Sequence, residues 1–223
     1  MILAVNFKEH FNLRETLSYF RDITQILEEV EKSNLKIIFF PSNPYLSICK
    51  NLITKKGYRN VFLGAQNVSV FTKGACTGEV SAIQLKDYVS YCLVNHSERV
   101  RYFSEDSKMA KAKIENLLEQ DIIPITCVSE SNEVSFFADF LDKIIIAFEP
   151  TEFIGGKNFC GIPTIQKFYF ESKLSSKFVY GGSVDNISAK LLVEYKDLEG
   201  LLVSSYCLKS SNFVNLVNMI LQK

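Results

Sequence analysis

The chain has 223 residues with 25 basic and 25 acidic side chains, so it carries no formal net charge. This balance argues against nucleic acid or an anionic membrane as a partner, because both select strongly basic surfaces. The start MILAVNFKEH lacks the basic flank and long apolar run of a signal peptide. No stretch reaches the roughly 18 apolar residues of a membrane span. We therefore expect a cytoplasmic protein.

Eight short apolar runs recur along the chain, and each predicts a strand. Runs of this length without polar alternation are typical of strands buried on both faces, as in parallel sheets. The runs are Ile2–Val5, Lys36–Phe40, Val61–Ala65, Tyr91–Val94, Ile122–Cys127, Ile144–Phe148, Lys177–Tyr180 and Leu201–Val203.

Amphipathic stretches lie between these runs and predict helices. Leu13–Glu31 carries apolar residues at helical spacing, and Ser104–Leu118 begins with Ser104 as a candidate N-cap. Asp185–Glu194 and Ser210–Leu221 predict two further helices, the last with Ser and Asn residues able to cap it.

Alternation of strands with helices predicts βαβ units, and eight such units favour a closed barrel over an open sheet. No Gly-rich dinucleotide fingerprint follows the first strand, which also disfavours the open sheet. The expected fold is an α/β (β/α)8 barrel, a single domain over residues 1–223. Its six cysteines stand singly, with no CxxC pair, so we interpret them as structural thiols rather than metal ligands or disulfides.

Polar residues follow five of the predicted strands, where active sites lie in barrels of this kind. Taken singly, each has an ordinary structural explanation, but together they place a lysine, a histidine and a carboxylate at one rim. They are Asn6 and Lys8 after the first strand, Asn95–Glu98 after the fourth, Glu149 with Gly155 after the sixth, Gly181–Ser183 after the seventh, and Ser204 with Ser205 after the eighth.

This set of side chains is suited to one kind of chemistry. Glu149 is a candidate general base, and His96 is a candidate donor that polarises a carbonyl oxygen. Lys8 supplies a positive charge to an anionic substrate. Small residues let backbone N–H groups approach a phosphate closely, and the candidates are Gly155, Ser183, Ser204 and Ser205. The residues therefore indicate proton abstraction beside a carbonyl on a phosphorylated substrate.

Eight segments, in order along the chain, resemble motifs of the triosephosphate isomerase family. They are NFK at Asn6–Lys8, GAQNV at Gly64–Val68, GACTGEVS at Gly74–Ser81, NHSER at Asn95–Arg99, CVSE at Cys127–Glu130, AFEPTEFIGG at Ala147–Gly156, YGGSV at Tyr180–Val184 and LLVSSYCLK at Leu201–Lys209.

The resemblance implies a TIM barrel that interconverts dihydroxyacetone phosphate and glyceraldehyde 3-phosphate, in glycolysis and gluconeogenesis, without a metal or organic cofactor. It makes Glu149 the base, His96 a neutral electrophile, and Lys8 with Asn6 the substrate-holding pair. Glu98 becomes a supporting acid. The phosphate site is then lined by Gly155, Ser183, Ser204 and Ser205. The resemblance also implies a homodimer in which Thr77 inserts into the neighbouring subunit.

The chain departs from the family pattern in several places. Ser204 and Ser205 stand where the family has a Gly pair, and Glu152 and Phe153 replace a Trp–Ala pair in the lid. Two alternatives remain open. One is a barrel that binds a phosphorylated metabolite or a protein without catalysis, and the other is a related enzyme acting on a different sugar phosphate.

Overall fold

The computed structural model describes residues 1–153, 159–176 and 178–222. Within them, eight parallel strands pair in sequence order, and β1 also pairs with β8, which closes a barrel. The strands are β1 Ile2–Asn6, β2 Lys36–Phe40, β3 Val61–Ala65, β4 Tyr91–Val94, β5 Ile123–Val128, β6 Ile145–Phe148, β7 Phe178–Tyr180 and β8 Leu198–Val203. The (β/α)8 barrel predicted from the sequence is confirmed.

Helices follow the strands and surround the barrel. They are α1 Leu13–Asp22, α2 Thr24–Val30, α3 Leu46–Lys56, α4 Ala82–Leu85, α5 Ser97–Phe103, α6 Ser107–Leu118, α7 Ile162–Ser172, α8 Asn186–Leu192 and α9 Ser210–Leu221. Short 3₁₀ segments cover Asn43–Tyr45, Ser131–Phe140, Thr151–Phe153 and Ser205–Leu208.

The apolar strands bury both of their faces, which explains why their sequences do not alternate. Ile2 and Ala4 of β1 point into the barrel, whereas Leu3 and Val5 pack under the helices. Inside the barrel, a Cβ on Gly64 would lie 2.1 Å from the Phe40 ring. The interior is therefore a packed core rather than a channel.

The segment Leu13–Glu31 forms two helices instead of the single helix that its spacing predicts. The chain leaves helical geometry at Ile23, where φ is −96° and ψ is 0°. The Thr24 hydroxyl donates to the Phe20 carbonyl at 3.0 Å, a contact of the kind that bends helices. Periodicity alone does not detect this break.

The prediction of Ser104 as an N-cap is wrong. Ser104 adopts a left-handed conformation with φ of 54° and ends α5 instead. The N-cap of α6 is Asp106, whose side chain accepts from the Met109 N–H at 2.8 Å. Two acidic residues after Ser104 made it resemble a cap, but the first of them, Glu105, is buried in an ion-pair cluster.

The last two predicted helices differ in how they begin. In α8, the Asp185 side chain accepts from the N–H groups of Ile187 and Ser188 at 3.0 and 2.8 Å. In α9, the bounds Ser210–Leu221 match the prediction, but the N-cap residue is Lys209 and no side chain caps the helix. The Ser and Asn residues expected to cap α9 lie inside its first turn.

Among the described residues, no helix is long and apolar enough to cross a membrane. Cys49, Cys92, Cys127 and Cys207 are buried as free thiols, as their apolar surroundings predict. Burial raises the pKa of Cys49 to about 12, so this thiol stays neutral and behaves as a small apolar side chain.

Candidate active site

A cavity of about 410 Å³ opens at the rim formed by the carboxyl ends of the strands. Most of the residues predicted from the sequence line it, namely Asn6, Lys8, His96, Glu149, Ser183, Ser204 and Ser205. Glu98 lines a neighbouring groove together with Lys8. Thr77 lies in a hollow of the β3–α4 loop, and Gly155 falls outside the described residues.

His96 follows β4 and is also the N-cap residue of α5. The Glu98 backbone N–H donates to its Nδ1 at 3.3 Å. The Glu98 carboxylate is 3.7 Å from the same nitrogen, beyond hydrogen-bond length. A ring nitrogen that accepts a hydrogen bond carries no proton, so this contact favours the tautomer with its proton on Nε2. The N-terminus of α5 therefore favours the tautomer whose Nε2–H points into the cavity.

Glu149 follows β6 and points at the free side of His96. Its Oε1 lies 3.4 Å from His96 Nε2, and the two side chains are only 4% and 6% exposed. Its Oε2 is buried and has no hydrogen-bond partner among the described residues. Burial, and then the Glu149 charge, raise the pKa of the adjacent Cys127 thiol, which keeps that thiol neutral beside the carboxylate. The Glu149 carboxylate is therefore held between the His96 ring and the Cys127 thiol.

A Gly pair after β7 holds this arrangement in place. A Cβ on Gly181 would lie 2.8 Å from Glu149 Cγ, so any side chain there would displace the carboxylate. A Cβ on Gly182 would lie 2.0 Å from the Tyr180 hydroxyl oxygen, which accepts from the Cys160 N–H at 3.2 Å. The glycines are required by close packing, although singly a Gly pair predicts only a turn.

Lys8 lies in a turn with an unfavourable backbone conformation, which hydrogen bonds from neighbouring residues stabilise. Its φ of 50° is unusual for a residue with a side chain and costs about 1–2 kcal/mol. The Lys8 N–H donates to Asn6 Oδ1 at 2.9 Å, and its carbonyl accepts from Gln66 Nε2 at 2.8 Å and Ser42 Oγ at 3.1 Å. Sequence reasoning missed Gln66 and Ser42, although Gln66 lies in the GAQNV motif.

The Lys8 ammonium forms an ion pair with the Glu98 carboxylate. Its Nζ lies 2.6 Å from Glu98 Oε1, and the two side chains are 20% and 39% exposed. This pair contributes little to folding, since partly exposed ion pairs are screened by water. The pair instead fixes the position of the ammonium at the mouth of the cavity.

The loops after β7 and β8 contribute small polar residues to the opposite wall. Ser183 donates through its hydroxyl to the Phe153 carbonyl at 2.6 Å and so contacts the start of the segment after Glu149. Ser204 lies at the end of β8, and its carbonyl accepts from the Cys207 N–H at 2.9 Å. The Ser204 hydroxyl is buried without a hydrogen-bond partner among the described residues.

Within the described ranges, no three His, Cys, Asp or Glu side chains cluster as metal ligands do. The cavity is lined by a carboxylate, an imidazole and an ammonium, from Glu149, His96 and Lys8. With strands closed into a (β/α)8 barrel and this set at its carboxyl rim, the chain has the architecture of barrel enzymes.

The particular family follows from comparison with known proteins. The family model for triosephosphate isomerase matches residues 1–220, and the chain belongs to that family. It is 32% identical to a triosephosphate isomerase of Wigglesworthia glossinidia brevipalpis, over 85% of each chain. It is 31% identical to one of Mesomycoplasma hyorhinis over 98% of each chain, and 31% identical to one of Alkaliphilus metalliredigens over 97% of this chain and 98% of the relative. It is therefore an enzyme of an isomerase family.

Proposed function

We propose that the chain interconverts dihydroxyacetone phosphate and D-glyceraldehyde 3-phosphate, as a step of glycolysis and gluconeogenesis in the cytoplasm. The observation that carries this proposal is the buried contact of 3.4 Å between Glu149 Oε1 and His96 Nε2, in the cavity that Lys8 also lines. A base and a proton donor held this closely can act on two adjacent atoms of one small substrate.

The reaction follows from the roles that these atoms can take. The Glu149 carboxylate removes a proton from the carbon beside the carbonyl, while His96 Nε2–H donates to the carbonyl oxygen. The electrons of the broken C–H bond form an enediolate, whose negative charge the imidazole donor and the Lys8 ammonium stabilise. A proton then passes from the hydroxyl oxygen to the former carbonyl oxygen by way of His96 Nε2, and Glu149 returns its proton to the neighbouring carbon, which completes the exchange of ketose for aldose.

The phosphate of the substrate fits the opposite wall of the cavity. Small residues there let backbone N–H groups approach an anion, and we assign the contacts to Gly155, Ser183, Ser204 and Ser205. Asn6 supports the Lys8 turn through its side-chain oxygen. Glu98 supports the site from two sides, by pairing with Lys8 and by donating its backbone N–H to His96.

A solvent-exchange experiment tests the proton-transfer step directly. In D₂O, a coupled assay with dihydroxyacetone phosphate will show product formation, and NMR will show deuterium on a carbon of the triose. Deuterium enters the product when the proton held by Glu149 exchanges with solvent before its return, and product formation that survives unchanged in Glu149→Ala would contradict the role of Glu149. Phosphate binding without turnover would support the non-catalytic barrel instead.

We further propose a homodimer in which the β3–α4 loop of each protomer enters its neighbour. A groove of about 650 Å³ beside Lys8 is lined by polar residues and by Tyr102 and Phe103, which are 64% and 59% exposed. Phe71, on the loop that carries Thr77, is 54% exposed. Exposed rings on both the groove and the loop favour burial against a second copy.

Sedimentation will test the dimer with a pair of matched variants. Tyr102→Glu places a charge in the groove and is expected to shift the chain towards monomer. Phe170→Glu changes a ring that is 84% exposed and lies on α7, so the dimer should persist. A stable monomer for the unaltered chain at working concentration would refute the assembly.

A further inference from the structure

Two parts of the proposed site come from opposite ends of the chain and share one aromatic cluster. Phe7 stands between Asn6 and Lys8, and its ring is 1% exposed. Its centroid lies 5.0 Å from that of Phe11, 4.9 Å from that of Tyr19 and 5.8 Å from that of Phe39. The Lys8 turn is therefore anchored from below by rings of α1 and β2.

Tyr19 joins this cluster to the loop after β8. Its hydroxyl donates to the Cys207 carbonyl at 2.7 Å, across 188 positions of sequence. Tyr19 is 4% exposed and Cys207 is fully buried, so water does not substitute for this bond. Cys207 lies in the segment Ser205–Leu208, whose first residue is one of the proposed phosphate contacts.

We infer that Tyr19 is a positioning residue, whose hydroxyl fixes the loop after β8 relative to the Lys8 turn and thereby sets the affinity of the site for the substrate phosphate. A small substrate spans both parts, so their separation decides whether the ammonium and the phosphate contacts act together. The bond reaches backbone rather than a reacting atom, so Tyr19 acts on binding rather than on proton transfer.

The expected change in KM rests on the proposed function, whereas the expected change in phosphate affinity does not. Tyr19→Phe removes the hydroxyl and keeps the ring in the cluster. We expect the KM for dihydroxyacetone phosphate to rise about fivefold and the dissociation constant of inorganic phosphate to rise by a similar factor. The kcat should stay within about twofold, because Glu149 and His96 are untouched.

Tyr58→Phe is the matched control. The Tyr58 hydroxyl donates to the Thr24 carbonyl at 3.4 Å, between α2 and α3 and away from the cavity. This variant is expected to lose thermal stability without any change in KM or phosphate affinity. If Tyr19→Phe behaves in the same way, the hydroxyl is merely structural and the inference is overturned.

Should Tyr19→Phe fail to accumulate as folded protein, Phe11→Leu takes its place. Phe11 is only partly buried and its centroid lies 5.5 Å from that of Tyr19, so the change loosens the cluster and keeps the hydroxyl bond. Because the hydroxyl bond persists in this variant, KM and the phosphate dissociation constant should stay within about twofold, and a fivefold rise would assign the effect to ring packing and overturn the inference. If the unaltered chain binds phosphate but does not isomerise, the proposed function fails while the phosphate measurement still decides the role of Tyr19.

Discussion

Around the cavity, the ends of β1, β4 and β6 supply charged and imidazole side chains, whereas the loops after β7 and β8 supply small polar residues. On the first side, Lys8, His96 and Glu149 are each held by neighbours that leave one atom directed at the cavity. On the second side, Ser204 and Ser205 offer hydroxyls and backbone. In the proposed reaction the first side performs the chemistry and the second side holds the substrate, so changes on the two sides should separate kcat from KM.

The largest effect is expected for Glu149→Gln. Loss of the general base should lower kcat about 10³-fold, while the affinity for inorganic phosphate stays within a few fold. Glu119→Gln, an exposed change beyond α6, serves as the control and should leave both parameters unaltered. Turnover that survives the loss of Glu149 would contradict the assignment of the chemistry to the first side of the cavity.

A tenfold to hundredfold loss of kcat is expected for Gly181→Ala. The new Cβ would approach Glu149 Cγ to 2.8 Å and push the carboxylate out of line, and misplacement by about 1 Å costs roughly 10² in rate. Gly57→Ala is the contrasting variant, because φ is 69° there and nothing lies within 4 Å of the new Cβ. It should lower stability by about 1 kcal/mol and leave kcat intact. Equal activity in the two variants would show that Gly181 does not position the base.

A much smaller effect is expected for the double change Ser204→Gly and Ser205→Gly. If backbone N–H groups provide most of the grip, kcat should persist and KM should stay unchanged or fall, within about fivefold, which is the worth of one hydrogen bond. Steady-state kinetics on both substrates will measure this. A collapse of activity would show that the hydroxyls are essential and that the two sides are not as distinct as proposed.

The smallest effect on activity is expected for Asp185→Ala at the start of α8. Hydrogen bonds from the Ser188 backbone, among others, lower the pKa of the Asp185 carboxyl below its usual 3.8. Its stabilisation is therefore complete above that value and is lost as the pH falls through the lower folded-state value. Asp185→Ala should lower the free energy of unfolding by about 1 kcal/mol at neutral pH without altering kcat.

Thermal unfolding as a function of pH will check the Asp185 prediction. Asp185→Asn is its control, because the amide oxygen keeps the cap but does not titrate. It should retain most of the stability at neutral pH and lose the acid-dependent part. An identical acid profile in all three proteins would assign that stability to other carboxyls.

Local sequence patterns predicted the strands and the side chains that line the cavity, because continuous apolar runs and strand-end polar residues are visible within a few positions. Only the start of β8 shifted noticeably, since Glu199 and Gly200 interrupt its apolar run. Gly200 is there because a Cβ would come within 2.1 Å of the Ile2 carbonyl oxygen. That contact between the first and last strands has no local signal.

The supports of the site were harder to predict for the same reason. Gln66 reaches Lys8 across 58 positions, and Tyr19 reaches Cys207 across 188. Each is a common residue in a common pattern, and only the closed barrel brings the partners together. At Ser104 the local pattern predicted an N-cap that does not form, because Glu105 is buried and α6 begins after Asp106 instead.

His96 both caps the first turn of α5 and lines the cavity. Helix α5 has seven residues and none of them is buried, so it depends on its ends rather than on packing. The imidazole that caps its first turn is the proposed electrophile, and fraying of that turn would free Nδ1 to change its protonation. Heating should therefore inactivate the site before the barrel unfolds, and the loss of catalytic rate would report the unfolding of the first turn of α5.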